Sequence, residues 1–365
     1  MGIVSRETCH DAAMGKDKKA KKKDKKKSRE DKVKLAAAKG VVEEVAAKNA
    51  ALKSAAKAEA KAVVAAAAEA AKVATTKAAK AAKSDSPSPA DFERALRVGP
   101  DFVLADLDPE SHPGFEGDRA EGEAMMAGLA DRVADLQERL YADSKAGGKR
   151  SVLLVVQGMD TSGKGGIMRH VVGAVDPQGV DITAFKAPTA EEREHPFLWR
   201  IERALPTPGV VGVFDRSQYE DVLIVRVHDL VPRAQWARRY AQINAFEKRA
   251  AAAGITIVKV MLHISKDEQK ARLAERLANP EKYWKFNPGD IDERGHWDAY
   301  MEAYQAVLDK CSTEVAPWYV VPANAKWYAR LAVMNLLLDA LTRLDPQWPA
   351  AEFDVAEQQA RLAES

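Results

Sequence analysis

Cysteine is almost missing from this chain: Cys9 and Cys311 are the only two in 365 residues. Two thiols so far apart form neither a metal-ligand spacing nor a disulfide framework, which excludes a stapled secreted scaffold and a zinc module. A reducing, cytoplasmic setting fits. No apolar run reaches the roughly 18 residues that a membrane-crossing helix needs, so no membrane partner is expected. The first residues carry Arg6, Glu7, His10 and Asp11 with no apolar segment, unlike a signal peptide, and Met14 offers a second start. A strong overall charge is lacking too, the net being +2.

That average hides a division. Residues 1–83 hold 22 Lys+Arg against 10 Asp+Glu, net +12, and the remainder 34 against 44, net −10. The lysine run over 16–34 repels itself and favours disorder. Residues 35–83, mostly Ala and Lys, have helix propensity but no apolar face to dock. The segment therefore reads as a disordered or transiently helical tail. It is either a solubilising extension or a salt-sensitive holder of polyphosphate or nucleic acid. Ser84 to Ala90 (SDSPSPA) is a linker by composition.

The organising stretch is Ser151 to Gly166 (SVLLVVQGMDTSGKGG). Its first half is continuously apolar, as in a strand buried on both faces of a parallel sheet. Its second half is a glycine loop with Gly158, Gly163, Gly165 and Gly166 around Lys164. After it, Ile167, Met168, Val171, Val172 and Val175 recur at helical spacing. In that context GxxxxGK is a phosphate cradle: backbone N–H groups of Gly158 to Gly165, with Thr161 and Ser162, surround phosphate oxygens. Lys164 supplies a full charge. Gly165 stands where the usual motif has a Mg²⁺-ligating hydroxyl. Asp160 is a carboxylate inside an anion site, unfavourable unless a cation or an acceptor group compensates it; metal handling or nucleophile positioning is its expected role.

Before this stretch, residues 91–145 form a lead-in segment with a helix from about Arg119 to Tyr141, carrying the stripe Met125, Leu129, Val133, Leu136 and Leu140. After it, Gly209 to Asp215 is a second buried strand ending in a carboxylate, the Walker B pattern that handles Mg²⁺. Arg216, Tyr219, Glu220 and Asp221 follow directly, and a guanidinium there can clamp phosphate. Lys186 and Arg193, past a short strand ending at Phe185, are candidate acceptor-phosphate ligands. Ile255 to Ile264 is a third buried strand. Ser265 to Glu268 is a capping box opening a helix on which Arg272 and Arg276 share one face. Asn279-Pro280 stops it, and Lys282 and Lys285 follow; residues 265–297 suit a lid. A last strand, Trp318 to Val321, and an amphipathic helix from Lys326 to Leu341 complete the body, with 346–365 as a C-terminal tail. The seven histidines form no cluster and read as structural.

Taken together these motifs resemble the family-2 polyphosphate kinases. The resemblance rests on Gln157 to Lys164, Asp176-Pro-Gln-Gly179, Phe185 to Thr189, Glu194 to Arg200, Asp215 to Leu223, His263 to Gln269 and Pro280 to Lys285. It covers roughly residues 91–345. It implies an α/β fold of the thymidylate-kinase-like P-loop class, three-layer α/β/α with a parallel sheet and a helical lid. It implies phosphoryl exchange between inorganic polyphosphate and AMP or ADP with Mg²⁺. By position, Asp160 and Asp215 would hold the metal, and Lys164 and Arg216 the transferring phosphate. Arg272 and Arg276 would come from the lid. Glu220 resembles the members that accept AMP as well as ADP, and Gly165 departs from relatives with Asp there. Because the body is acidic, the polyanion needs a local lane, expected along Lys186, Arg193, Arg200, Lys282 and Lys285. The expected assembly is a homo-oligomer. Two other readings stand beside this one: an ATP-dependent nucleotide kinase on the same core, and a histone-like polyanion binder whose kinase core is vestigial.

Overall fold

A computed structural model describes residues 87–365. The readings made on the Ala/Lys-rich tail and on residues 84–86 fall outside the described residues. Five parallel strands form one sheet in the order β2-β3-β1-β4-β5: β1 Ser151–Gly158, β2 Val180–Ala184, β3 Val211–Asp215, β4 Ile255–His263 and β5 Trp318–Pro322. Each strand returns through a helical crossover, as parallel pairing requires.

Both faces of the central strand are covered. Val152, Leu154 and Val156 of β1 point into the larger apolar cluster, while Leu153 and Val155 point into a second one on the opposite face. That alternation is why β1 and β4 are apolar throughout instead of every second residue. On one face lie the helices Arg119–Lys145, Lys326–Leu344 and Pro89–Leu96; on the other lie Arg233–Ala252 and Trp297–Cys311. In the helix Lys326–Leu344 every residue from Leu331 to Leu341 is buried, so its apolar surface wraps nearly all the way round.

Register fixes the functional edge. Val156 of β1 lies level with Asp215 of β3, and Gly158 with Leu262 of β4. Connections leave β1 towards β2 and leave β4 towards β5, so the crevice between the carboxyl ends of β1 and β4 is a topological switch point, where ligands bind in open α/β sheets.

Several local expectations are corrected. The helix after the glycine loop runs only from Lys164 to His170 and continues as a 3-10 turn over Val172–Ala174. A helix already begins at Pro89, inside the stretch read as linker, where the Ser88 amide and hydroxyl both donate to the Asp91 carboxylate at 2.8 and 2.7 Å. The box expected at Ser265 forms only halfway: Ser265 Oγ accepts from the Glu268 amide, but the Glu268 carboxylate turns to Arg272 instead. The C-terminal stretch holds a further helix, Val355–Ala363. Among the described residues no helix is long and apolar enough to cross a membrane.

Candidate active site

The glycine loop leaves β1 under conformational constraint. Gly158 (φ 147) and Gly163 (φ 116) take backbone angles that side chains rarely adopt, and a Cβ on Gly158 would meet Leu262 O at 2.6 Å. Thr161 is held at φ 66 although it is not a glycine, a strain of about 1–3 kcal/mol that the surroundings must offset. The offset comes from Arg272. Its Nη1 donates to Thr161 O and Ser162 O (2.9 and 3.0 Å), its Nη2 to Ala323 O and Asn324 O (2.6 and 2.9 Å), and its Nε to Glu268 Oε1 (2.6 Å). These engage all five guanidinium donors. Gln269 Nε2 adds a bond to Asp160 O at 3.2 Å. With the loop's carbonyls tied back, its N–H groups other than that of Ser162, which donates to Met159 O at 3.0 Å, are left for an anion.

Facing the loop is a cleft of about 530 Å³. Asp160, Thr161, Ser162, Gly163, Lys164, Gly165 and Asp215 line its floor, and Arg272, Arg276, Lys282 and Lys285 come from the arm after β4. Lys164 Nζ folds back onto Gly158 O (2.8 Å) and Met159 O (3.3 Å). Burial pushes its ammonium below the ordinary lysine range, against the opposing pull of Asp160. Among the described residues nothing hydrogen-bonds the Thr161 and Ser162 hydroxyls, so polar atoms in the loop await a ligand.

The turn after β3 supplies the opposing side. Arg216, at φ 65, reaches Asp160 Oδ1 with Nη2 at 3.1 Å. Glu220 is close to the same charges: burial pushes its carboxyl up, while Arg216 and Lys164 pull it down. Asp160 and Asp215 thus lie on one cleft beside two cations. Two carboxylates on one cleft, with no ready-made cluster of three or more acidic, imidazole or thiol ligands among the described residues, suit a hard cation that completes its shell with water and phosphate oxygens.

Other expected residues go elsewhere. Lys186 and Arg193 lie off this cleft, on the β2 side, and Arg193 Nη1 donates to Pro188 O at 2.6 Å. Arg200 is a buried anchor, not part of a lane. Its Nη1 donates to Lys186 O at 2.8 Å and pairs with Glu192 at 3.5 Å. The lane of five cations is therefore divided, with only Lys282 and Lys285 on the cleft. Arg276 differs from Arg272 in remaining at the surface of the cleft, paired with Asp290 at 3.3 Å and donating to Lys285 O at 2.8 Å. Lys282 and Lys326 both pair with Glu275.

Three cleft cations escaped the sequence reading: Arg169, Lys326 and Arg330. Arg169 sits on the short helix after the loop, and Lys326 and Arg330 are four apart at the start of the last long helix. That i,i+4 pair beside a loop was the available signal. Tyr304 was also missed. It is buried under the loop, with its hydroxyl pushed well above its ordinary value by burial and then by Glu220 and Asp160.

Strand, glycine loop, lysine and a second strand ending in aspartate at a switch point define a P-loop phosphotransfer site. The comparisons give that class its family. The polyphosphate kinase 2 family model matches residues 116–349, and the chain belongs to that family; it is a phosphotransferase. It is 46% identical over 261 residues to an AMP/ADP-polyphosphate phosphotransferase of Meiothermus ruber, covering 71% of this chain and 96% of the relative. An ADP-polyphosphate phosphotransferase of Rhodopseudomonas palustris is 44% identical over 237 residues, covering 62% and 81%. The crystal structure of polyphosphate kinase 2 from Arthrobacter aurescens TC1 superimposes with a TM-score of 0.74 at 58% identity, covering 77% of this chain and 99% of that one. The histone-like alternative draws no support from this geometry or these relatives.

Proposed function

We propose that the protein transfers a phosphoryl group between inorganic polyphosphate and AMP or ADP, with Mg²⁺ held by Asp160 and Asp215. The observation that carries the reading is the convergence of Asp160, Lys164 and Asp215 on one cleft walled by Arg276, Lys282 and Lys285, in a chain of this family. A loose, in-line transfer needs alignment and charge neutralisation more than covalent help. The loop amides and Lys164 hold the migrating group, and Arg216 draws on its oxygens from the other side. A bound Mg²⁺ supplies further charge neutralisation. Segment 265–297 acts as the lid: Arg276, Lys282 and Lys285 close on phosphates and exclude water. Glu220 supports AMP as an acceptor beside ADP, through the resemblance already noted.

The deciding assay offers purified protein Mg²⁺, AMP or ADP, and polyphosphate without ATP. A higher nucleotide is the expected product. No product there, together with product when ATP is the donor, replaces this reading with the ATP-dependent kinase. The tail adds a salt-sensitive contribution: deleting residues 1–83 should weaken polyphosphate capture at low salt and leave kcat near normal. A truncated enzyme without activity contradicts that role.

A further inference from the structure

Lys259 sits in the middle of β4 with a side chain that is 0% exposed. Its ammonium donates to Glu247 Oε2 at 2.6 Å, to the Tyr219 hydroxyl at 2.8 Å and to Cys311 O at 2.7 Å, which engages all three of its N–H groups. Glu247, on the helix Arg233–Ala252, accepts at Oε1 from Tyr219 Oη at 2.7 Å and from Gln218 Nε2 at 3.0 Å. Tyr219 therefore donates to the glutamate and accepts from the lysine. Every polar atom of these three side chains has a partner.

Stability alone gives no reason for this arrangement. Taking two charges out of water costs several kcal/mol per ion in real proteins, and apolar groups of the same volume often serve as well or better. What the network holds is a particular piece of chain. It grips Gln218 and Tyr219, two of the three residues between Arg216 and Glu220. The same turn is tied above by Gln157 Nε2 donating to Ser217 Oγ at 3.0 Å and by the Arg216 amide donating to Val156 O at 3.1 Å. Arg216 itself is at φ 65, which a free loop would relax.

We infer that Lys259, Glu247 and Tyr219 are positioning residues: they hold the turn after β3 in the strained geometry that aims Arg216 and Glu220 at the cleft. The inference rests on the phosphotransfer reading for its kinetic consequence, but not for its structural one. Local side-chain bonds at Gln218 and Tyr219 transmit the rigid sheet and helix to a turn whose apolar anchors, the Tyr219 ring, Val222 and Leu223, all lie after Arg216.

The test uses the full chain and two variants. One is Tyr219→Phe, which removes a single hydroxyl; the other, Lys259→Met/Glu247→Leu/Tyr219→Phe, replaces the whole network with apolar groups. Amide hydrogen exchange over residues 215–222 is measured first, since it needs no turnover. Exchange there should accelerate at least tenfold in both variants, with β1 and β4 unchanged. With whichever donor the wild type uses, kcat should fall at least tenfold and each KM should stay within twofold. The same changes made in an Arg216→Lys background should lower kcat less than threefold, because the network acts through that residue. Unchanged exchange in the turn, an unchanged kcat, or an equal loss in both backgrounds overturns the inference. Should the triple variant not fold, Tyr219→Phe decides by the same readings. If the wild type turns over neither polyphosphate nor ATP, the proposed function fails and the exchange result alone decides the network.

Discussion

The glycine loop and the turn after β3 face each other across the cleft and solve the same problem in opposite ways. Each contributes an aspartate, and each contains a non-glycine residue at positive φ, Thr161 at 66 and Arg216 at 65. The loop is restrained through its backbone carbonyls, by Arg272 and Gln269 reaching in from the arm after β4. The turn is restrained through its side chains, by charges buried beneath it. The difference follows from what each presents. A loop that offers amides to an anion keeps them free when its carbonyls are held. A turn that offers side chains is aimed from the residues on either side of them.

Breaking either presentation directly should have the largest effect. Lys164→Ala and Asp215→Asn should each lower kcat/KM by about 10²–10³-fold, or ~3–4 kcal/mol of transition-state stabilisation, with circular dichroism and melting temperature near wild type. Steady-state phosphotransfer kinetics measure this, and retention of more than a tenth of the activity excludes the assigned roles.

Removing the restraint on the loop comes next. Arg272→Met leaves four backbone carbonyls and Glu268 without their donor and should destabilise the fold by about 3–5 kcal/mol. Arg272→Lys, which keeps the charge but not the fork, should recover only part of that in denaturant unfolding. A neutral outcome for Arg272→Met would mean that the arginine is a substrate clamp only, erasing the contrast between the two regions.

His263, at the end of β4, separates acid sensitivity of the scaffold from that of the chemistry. Burial lowers its pKa from 6.5 to about 4, so the folded state stays unprotonated where the unfolded chain takes up a proton. Stability from this residue is therefore lost as pH falls from about 6.5 towards 4, by ~3 kcal/mol in total. His263→Gln should flatten that part of the pH–stability curve. The smallest effect is expected at Gly165. A Cβ there meets nothing within 4 Å, so Gly165→Ser should leave stability within about 0.5 kcal/mol while altering the dependence of the rate on Mg²⁺ concentration.

How far the sequence could be read follows the same physics. β1 and β4 were legible as apolar runs because both faces of a central parallel strand are dry. Asp160, Lys164 and Asp215 were legible because strand ends and glycine turns leave fixed spacings. Arg272 and Arg276 looked equivalent, four apart on one helix, since spacing assigns a face but not what that face meets. One proved an internal tether and the other a cleft cation. Lys186, Arg193 and Arg200 were grouped by nearness in the chain, while the fold sent them away from the loop. Lys259 carried a usable signal, a lone charge inside ITIVKVMLH; what it would pair with, twelve residues back and forty residues back, was not visible in one strand.

Several of the cations walling the cleft are not bare. Arg276 leans on Asp290, while Lys282 and Lys326 share Glu275. An incoming anion that takes these three must compete with carboxylates already in place, and its net gain there is the difference between two sets of partners. One phosphate replaces one partner for little advantage. A linear donor that engages several of these positions at once gains from each exchange without a new loss of translational freedom. Pre-neutralised walls would thus discriminate by length of anion, and would release a shortened product more readily than the chain it came from.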